Sequence, residues 1–210
     1  MRVEVDHVVW ASPDLGALVE RVAELTGVTP VFGGRHEGRG TQNYLLGLGG
    51  ERYLELLGPD PSQPEPDLPR PMRVDELTGP ALVGWAVRTT AIHDVITAAR
   101  NHGYDPGAVT EMSRRTTDDT LLTWRLTPPE GGLDGVVPFV IDWLHSPHPA
   151  TRLPSVELAS LTVHHPEPAR VSAALTALGL LDESVVTVAP AARPGITAVV
   201  TTPHGDVSIP

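Results

Sequence analysis

The eleven residues 33–43, GGRHEGRGTQN, concentrate groups able to grip a small polar molecule. Arg35 and Arg39 carry planar guanidinium groups that can hold a carboxylate or phosphate through two parallel bonds. His36 can carry a proton, act as a ligand or donate a hydrogen bond near neutral pH. Thr41 and Asn43 can bond a hydroxyl or carbonyl. Glycines at 33, 34, 38 and 40 permit positive φ and close backbone approach, and successive exposed amides can form an anion-binding nest. The expectation is that this segment recognises the polar end of a small substrate. The plainer alternative is a hairpin loop whose arginines pair with the chain's excess acid.

A second stretch, SRRTTDDTLLTWRL, repeats the theme at 113–126. Arg114 and Arg115 precede an expected turn at Asp118–Asp119. Arg115 or Arg125 is a candidate second anion contact, and Trp124 and Phe139 are candidate apolar walls; the alternative is exposed arginines and core aromatics. His164 and His165 are adjacent in an expected strand and point to opposite faces, so they do not read as a ligand pair. His145 and His148, in HSPH, fall in a linker and read the same way. The serine nucleophile elbow, the phosphate-binding loop and the zinc-protease helix motif are absent.

The elements that must position these groups recur. VEVDHVVW reads as a strand in which Val3, Val5, His7 and Val9 share a face. A helix follows, with Ser12 as a plausible N-cap, Pro13 at its first position, an apolar face of Leu15, Leu18, Val19, Val22 and Leu25, and Gly27 as its stop. Strands follow at VTPVFGG, TQNYLLGLG and RYLELLG, giving the order βαβββ. The order returns from ALVGWAVRTT, with Ile92, Val95, Ile96 and Ala99 on one helical face, and again from VELASLTVHH. The helix-ending glycines Gly27, Gly103 and Gly179 lie 76 residues apart each time, the mark of an internal repeat. The expected units are 1–58 and 81–145, forming one domain over 1–145, with a third βαβββ-like unit at 156–210. The prolines of 59–80 read as a crossover linker.

The net charge of −11 excludes an overall basic footprint for nucleic acid and makes an anionic membrane an unsuitable partner. With no cysteine there are no disulfides, thiolate metal sites or cysteine nucleophiles. MRVEVDHVVW lacks a signal-peptide core and no apolar run is long enough to span a bilayer, so the cytoplasm is the expected location. Proline, alanine, valine and arginine usage suggests a GC-rich bacterial genome.

Repeated βαβββ units, the histidine of DHVVW and the glutamate of YLELL together resemble the vicinal oxygen chelate superfamily. GGRHEGRGTQN, YLELLGP and PFVIDW, in that order, resemble its glyoxalase-like domain family over about residues 3–145. The resemblance implies an α+β fold in which two units form an eight-stranded cup, with GGRHEGRGTQN at its mouth. It implies one divalent metal, Zn²⁺, Mn²⁺ or Fe²⁺, held by His7, Glu55 and Asp142. The fourth position falls on Val83, or on Trp85 in a shifted register, and neither is a ligand. On this reading the metal polarises a substrate oxygen, Glu55 or Asp142 serves as base and His36 carries protons, in lyase, isomerase or dioxygenase chemistry on a small oxygen-rich or anionic molecule. The alternative is a metal-free cup that sequesters an antibiotic-like ligand. The third unit is expected to cover a sheet edge or to pair with its counterpart in a homodimer.

Overall fold

A computed structural model describes residues 2–115, 120–180 and 184–210, with Arg115 described through its backbone alone. The first half runs β1 (Glu4–Ala11), α1 (Leu15–Thr26), β2 (Val31–His36), β3 (Thr41–Gly47) and β4 (Tyr53–Pro59). The second repeats that order as β5 (Ala81–Arg88), α2 (Ile92–Asn101), β6 (Thr110–Arg115), β7 (Leu121–Leu126) and β8 (Phe139–Asp142). These strands form one curved, nearly closed sheet in the order β2-β3-β4-β1-β5-β8-β7-β6. Each half pairs its first strand in parallel with its last, and the halves meet along antiparallel β1 and β5. A pseudo-twofold axis thus relates them, with His7 directly opposite Ala86. At the far edges β2 and β6 approach each other, and Arg114 bridges the seam by donating from Nη1 to the Gly33 carbonyl.

The helices form because their apolar residues recur at the helical period. Leu15, Leu18 and Val22 bury one face of α1; Ile92, Val95, Ile96 and Ala99 bury one face of α2. Each fully buried leucine or isoleucine contributes on the order of 1.5–3 kcal/mol. Asp14, rather than Ser12, caps α1: its side chain accepts from the Ala17 amide, while Ser12 Oγ accepts from the Asp14 amide one step earlier. Gly27 ends the helix with φ 70°.

Strand β1 departs from simple alternation. A bulge between Val5 and His7 inserts Asp6. Val3 and Val5 therefore join Val8 and Trp10 on the helix side, while His7 faces the concave side with Val9 and Ala11. The expected shared face of Val3, Val5 and His7 is corrected by that one extra residue.

Residues 60–80 do more than link the halves. They run as a strap over the cup mouth, with a 3-10 segment at Pro71–Glu76. Met72 and Val74 are buried against the concave-side cluster, and Met72 and Arg73 hold left-handed φ values of 57° and 54°. Arg70 pins the strap by donating to the Gly40 carbonyl and pairing with Glu65 and Asp75.

The third unit comprises β9 (Glu157–His165), α3 (Pro168–Ala177), β10 (Val186–Pro190), β11 (Gly195–Thr202) and β12 (Gly205–Ile209). Its element order repeats the pattern, but its sheet is wired β10-β9-β11-β12. In the two halves the first strand keeps one edge for the opposite half. Here β9 pairs within its own unit along both edges, with parallel β10 and antiparallel β11. Leu161, Val163, Val171 and Val200 share one apolar cluster with Val5, Val8 and Trp85, so the unit's apolar face is covered within the same chain. Main-chain bonds from Val156 to Gly47 and from Leu158 to Leu48 fasten it to the end of β3.

Candidate functional site

The concave side encloses a cavity of about 590 Å³. His7 and Glu55 both line it, with Nε2 and Oε2 3.7 Å apart. They come from neighbouring parallel strands, β1 and β4. Tyr53 stacks on the His7 ring at 4.6 Å and Phe139 meets it edge-on at 5.4 Å. Burial, reinforced by Asp6 and Glu55, pushes the Tyr53 hydroxyl far above its ordinary value, so it stays protonated. Leu57, Met112, Trp124 and Ile141 complete apolar walls.

Behind His7 lies a group that strand periodicity did not single out. Asp6 is fully buried on the bulge. Oδ1 meets His7 Nδ1 at 2.5 Å, and Oδ2 accepts from Trp143 Nε1 at 3.0 Å and lies 2.9 Å from His148 Nε2. Burial alone would push this carboxyl up, but bonds and charge from His148 and His7 outweigh that and hold it far below the usual carboxylate range.

The glycine–arginine stretch is a hairpin rather than a free loop: residues 33–36 belong to β2, and Thr41 and Asn43 to β3. Two amides at its turn are committed, Gly38 to Gln63 Oε1 and Arg39 to the His36 carbonyl, and are taken from the expected anion nest. Arg35 turns away from the cavity and pairs with Asp60 at 3.1 Å. Arg39 stands at the rim, its Nη2 3.6 Å from Met112 Sδ. His36 lines the cavity, with Nε2 3.9 Å from Glu55 Oε1. Burial lowers its pKa; Glu55 opposes this, and Arg114 and Arg39 add to it. Thr41 is buried outside the lining and meets His36 Nδ1 at 2.9 Å. Asn43 donates to Glu55 Oε1 at 2.6 Å. Its Oδ1 sits where a Cβ on Gly33 would come within 2.4 Å, so glycine is needed at 33 for space.

The second half contributes differently from expectation. Register places Tyr53 beside His7 and Phe139 beside Ala86, and Glu55 beside Val9 and Ile141 beside Arg88. The pseudo-symmetric counterparts of His7 and Glu55 are therefore Ala86 and Ile141, not Val83 or Trp85 and Asp142. Asp142 lies outside the cavity lining and accepts from the Leu144 amide. Trp85 points to the helix side and donates to the Val136 carbonyl. Trp124 is in the wall, against Trp143 at 5.5 Å. Arg125 pairs with Glu111 outside the lining. Arg115 has its side chain, and Asp118–Asp119 their whole turn, outside the described residues. Arg114 reaches the cavity instead; burial pushes its pKa down and the nearby Tyr53 and Glu55 pull it back.

This donor set does not fit a resident divalent metal. His7, His36 and Glu55 meet in the cavity, but Asp142 lies outside it, the side chains of Ala86 and Ile141 carry no lone pair, and among the described residues no three His, Asp or Glu side chains are arranged to hold a metal ion.

A model of the glyoxalase-like domain family matches residues 5–179. No curated protein matches the sequence. Among solved structures, a hypothetical protein from Staphylococcus aureus is similar in fold, with TM-score 0.69 at 15% identity over 92% of this chain and 88% of that one. Methylmalonyl-CoA epimerase from Mycobacterium tuberculosis gives TM-score 0.44 at 20% identity over 69% of this chain and 89% of that one. A methylmalonyl-CoA epimerase in complex with methylmalonyl-CoA and NH4+ gives 0.48 at 21% identity over 71% and 100%.

Proposed function

The chain belongs to the glyoxalase-like domain family, and from that premise we propose that its cup binds a small anionic carbonyl compound and moves a proton on it without a resident metal. The observation that carries this reading is the setting of Glu55. One carboxylate oxygen is fixed by Asn43 at 2.6 Å, and the other faces His7 Nε2 across 3.7 Å within apolar walls. Glu55 takes a proton from the carbon beside the carbonyl, and the electron pair moves onto the carbonyl oxygen. Arg114 supplies positive charge where that oxyanion develops, in a setting where a preorganised charge acts more strongly than in water. His36, kept neutral by burial, stands beside Glu55 to take up or return a proton. Arg39 at the rim meets the ligand's anionic end.

The test is deuterium exchange from D₂O, followed by NMR, over a panel of small keto acids, hydroxy aldehydes and acyl thioesters. Exchange beside the carbonyl in at least one compound is expected, with Glu55→Gln slowing it about 10²–10⁴-fold. The apolar pair Ala86 and Ile141 also favours a second reading, sequestration without turnover. Thermal shifts from panel members that never exchange would select it over proton transfer.

A further inference from the structure

We propose that His148 and Trp143 are positioning residues that fix the proton of His7 on Nδ1, so that Nε2 is the atom presented to Glu55 and the ligand. This rests on the reading that the His7–Glu55 face does the chemistry.

Two groups in this network cannot change role. The Trp143 indole nitrogen only donates, and its acceptor is Asp6 Oδ2 at 3.0 Å. The Ala150 backbone amide only donates, and its acceptor is His148 Nδ1 at 3.2 Å. His148 therefore carries its proton on Nε2, which lies 2.9 Å from the same Asp6 oxygen. Asp6 accepts two donors on Oδ2 and is held ionised by these partners, so its Oδ1 also accepts and requires a proton on His7 Nδ1.

The backbone is built to hold this arrangement. His148 sits between Pro147 and Pro149 with φ −65° and ψ 132°, the extended conformation a following proline favours. It caps the 3-10 turn Pro149–Arg152, and its ring packs edge-on against Trp143 and Tyr53 at 5.6 and 5.8 Å. The bulge at Asp6 supplies the other half: without the extra residue, Asp6 and His7 would face opposite sides of β1.

The test reads the His7 ring directly, by ¹⁵N NMR of the full chain labelled at histidine, with His7→Gln giving the assignment. The proton is expected on Nδ1. In His148→Leu/Trp143→Phe the Nδ1 occupancy is expected to fall as both tautomers appear, and His148→Gln, which can still donate to Asp6, is expected to restore it. Trp143→Phe alone, which keeps an aromatic ring, is expected to give a smaller fall and serves if the double variant does not fold. A wild-type ring without a proton on Nδ1 would overturn the proposal, as would an occupancy unchanged in the folded variants or unrestored by glutamine. Because no turnover is needed, failure here is distinct from failure of Glu55 as a base in the exchange experiment.

Discussion

His36 shows how environment sets the charge of one side chain. Burial lowers its pKa, and the pull of Glu55 does not reverse the shift against Arg114 and Arg39. Acid therefore protonates the unfolded chain first, so the contribution of His36 to stability is complete above about pH 6.5 and is lost as pH falls below it. Denaturant titrations between pH 7.5 and 5.5 should show wild type losing more stability than His36→Gln over that window. Equal slopes would remove the neutral, buried histidine from the account. Of the residues marked by type and spacing, His7, His36, Arg39, Asn43, Glu55 and Trp124 do line one cavity. Arg35 does not, because Asp60 offers a carboxylate partner that no local pattern reveals. Local pattern marks neither Asp6 nor Trp143 and leaves His148 in a linker, because their significance is a meeting across 137 and 142 residues of chain.

At the level of elements, the strap forms part of the cavity wall. Arg70, with its side chain 13% exposed, ties that segment to the hairpin turn through Gly40 and to itself through Glu65 and Asp75. Arg70→Ala leaves two carboxylates without their cation and should cost about 1–3 kcal/mol. Hydrogen exchange should rise first in residues 60–80, while the amides of β1 and β5 keep their protection; uniform loosening would show that the strap is not a separate unit. The helices were legible because an amphipathic period needs only local sequence. The strap was not, since proline content tells of extended chain but not of what it lies against. Strand faces were legible where alternation runs unbroken, as in β4. They failed at β1, where one inserted residue shifts the parity, and at β8, whose four residues offer too short a run to anchor a face.

For the molecule as a whole, the pseudo-twofold gives a rule that can be tested by building. Since Ala86 and Ile141 occupy the places of His7 and Glu55 in the second half, Ala86→His/Ile141→Glu should create a four-donor centre. Purified with Zn²⁺ or Mn²⁺, that variant is expected to carry about one metal per chain and wild type far less. Equal loading would mean that the register does not define the equivalence. The repeat of 76 residues announced the two halves and the existence of a third unit, but not its wiring, since strand order is set by pairing between distant segments rather than by local spacing. The seam between β2 and β6 has its own consequence. Raw strand edges are where β proteins recruit neighbours, and here two of them are turned toward each other with one guanidinium lodged between. Arg114 stitches this seam and also lines the cavity, so under the proposed role a ligand that drew it inward would loosen the ring. On that reading, occupancy of the cup and closure of the sheet would compete for one side chain.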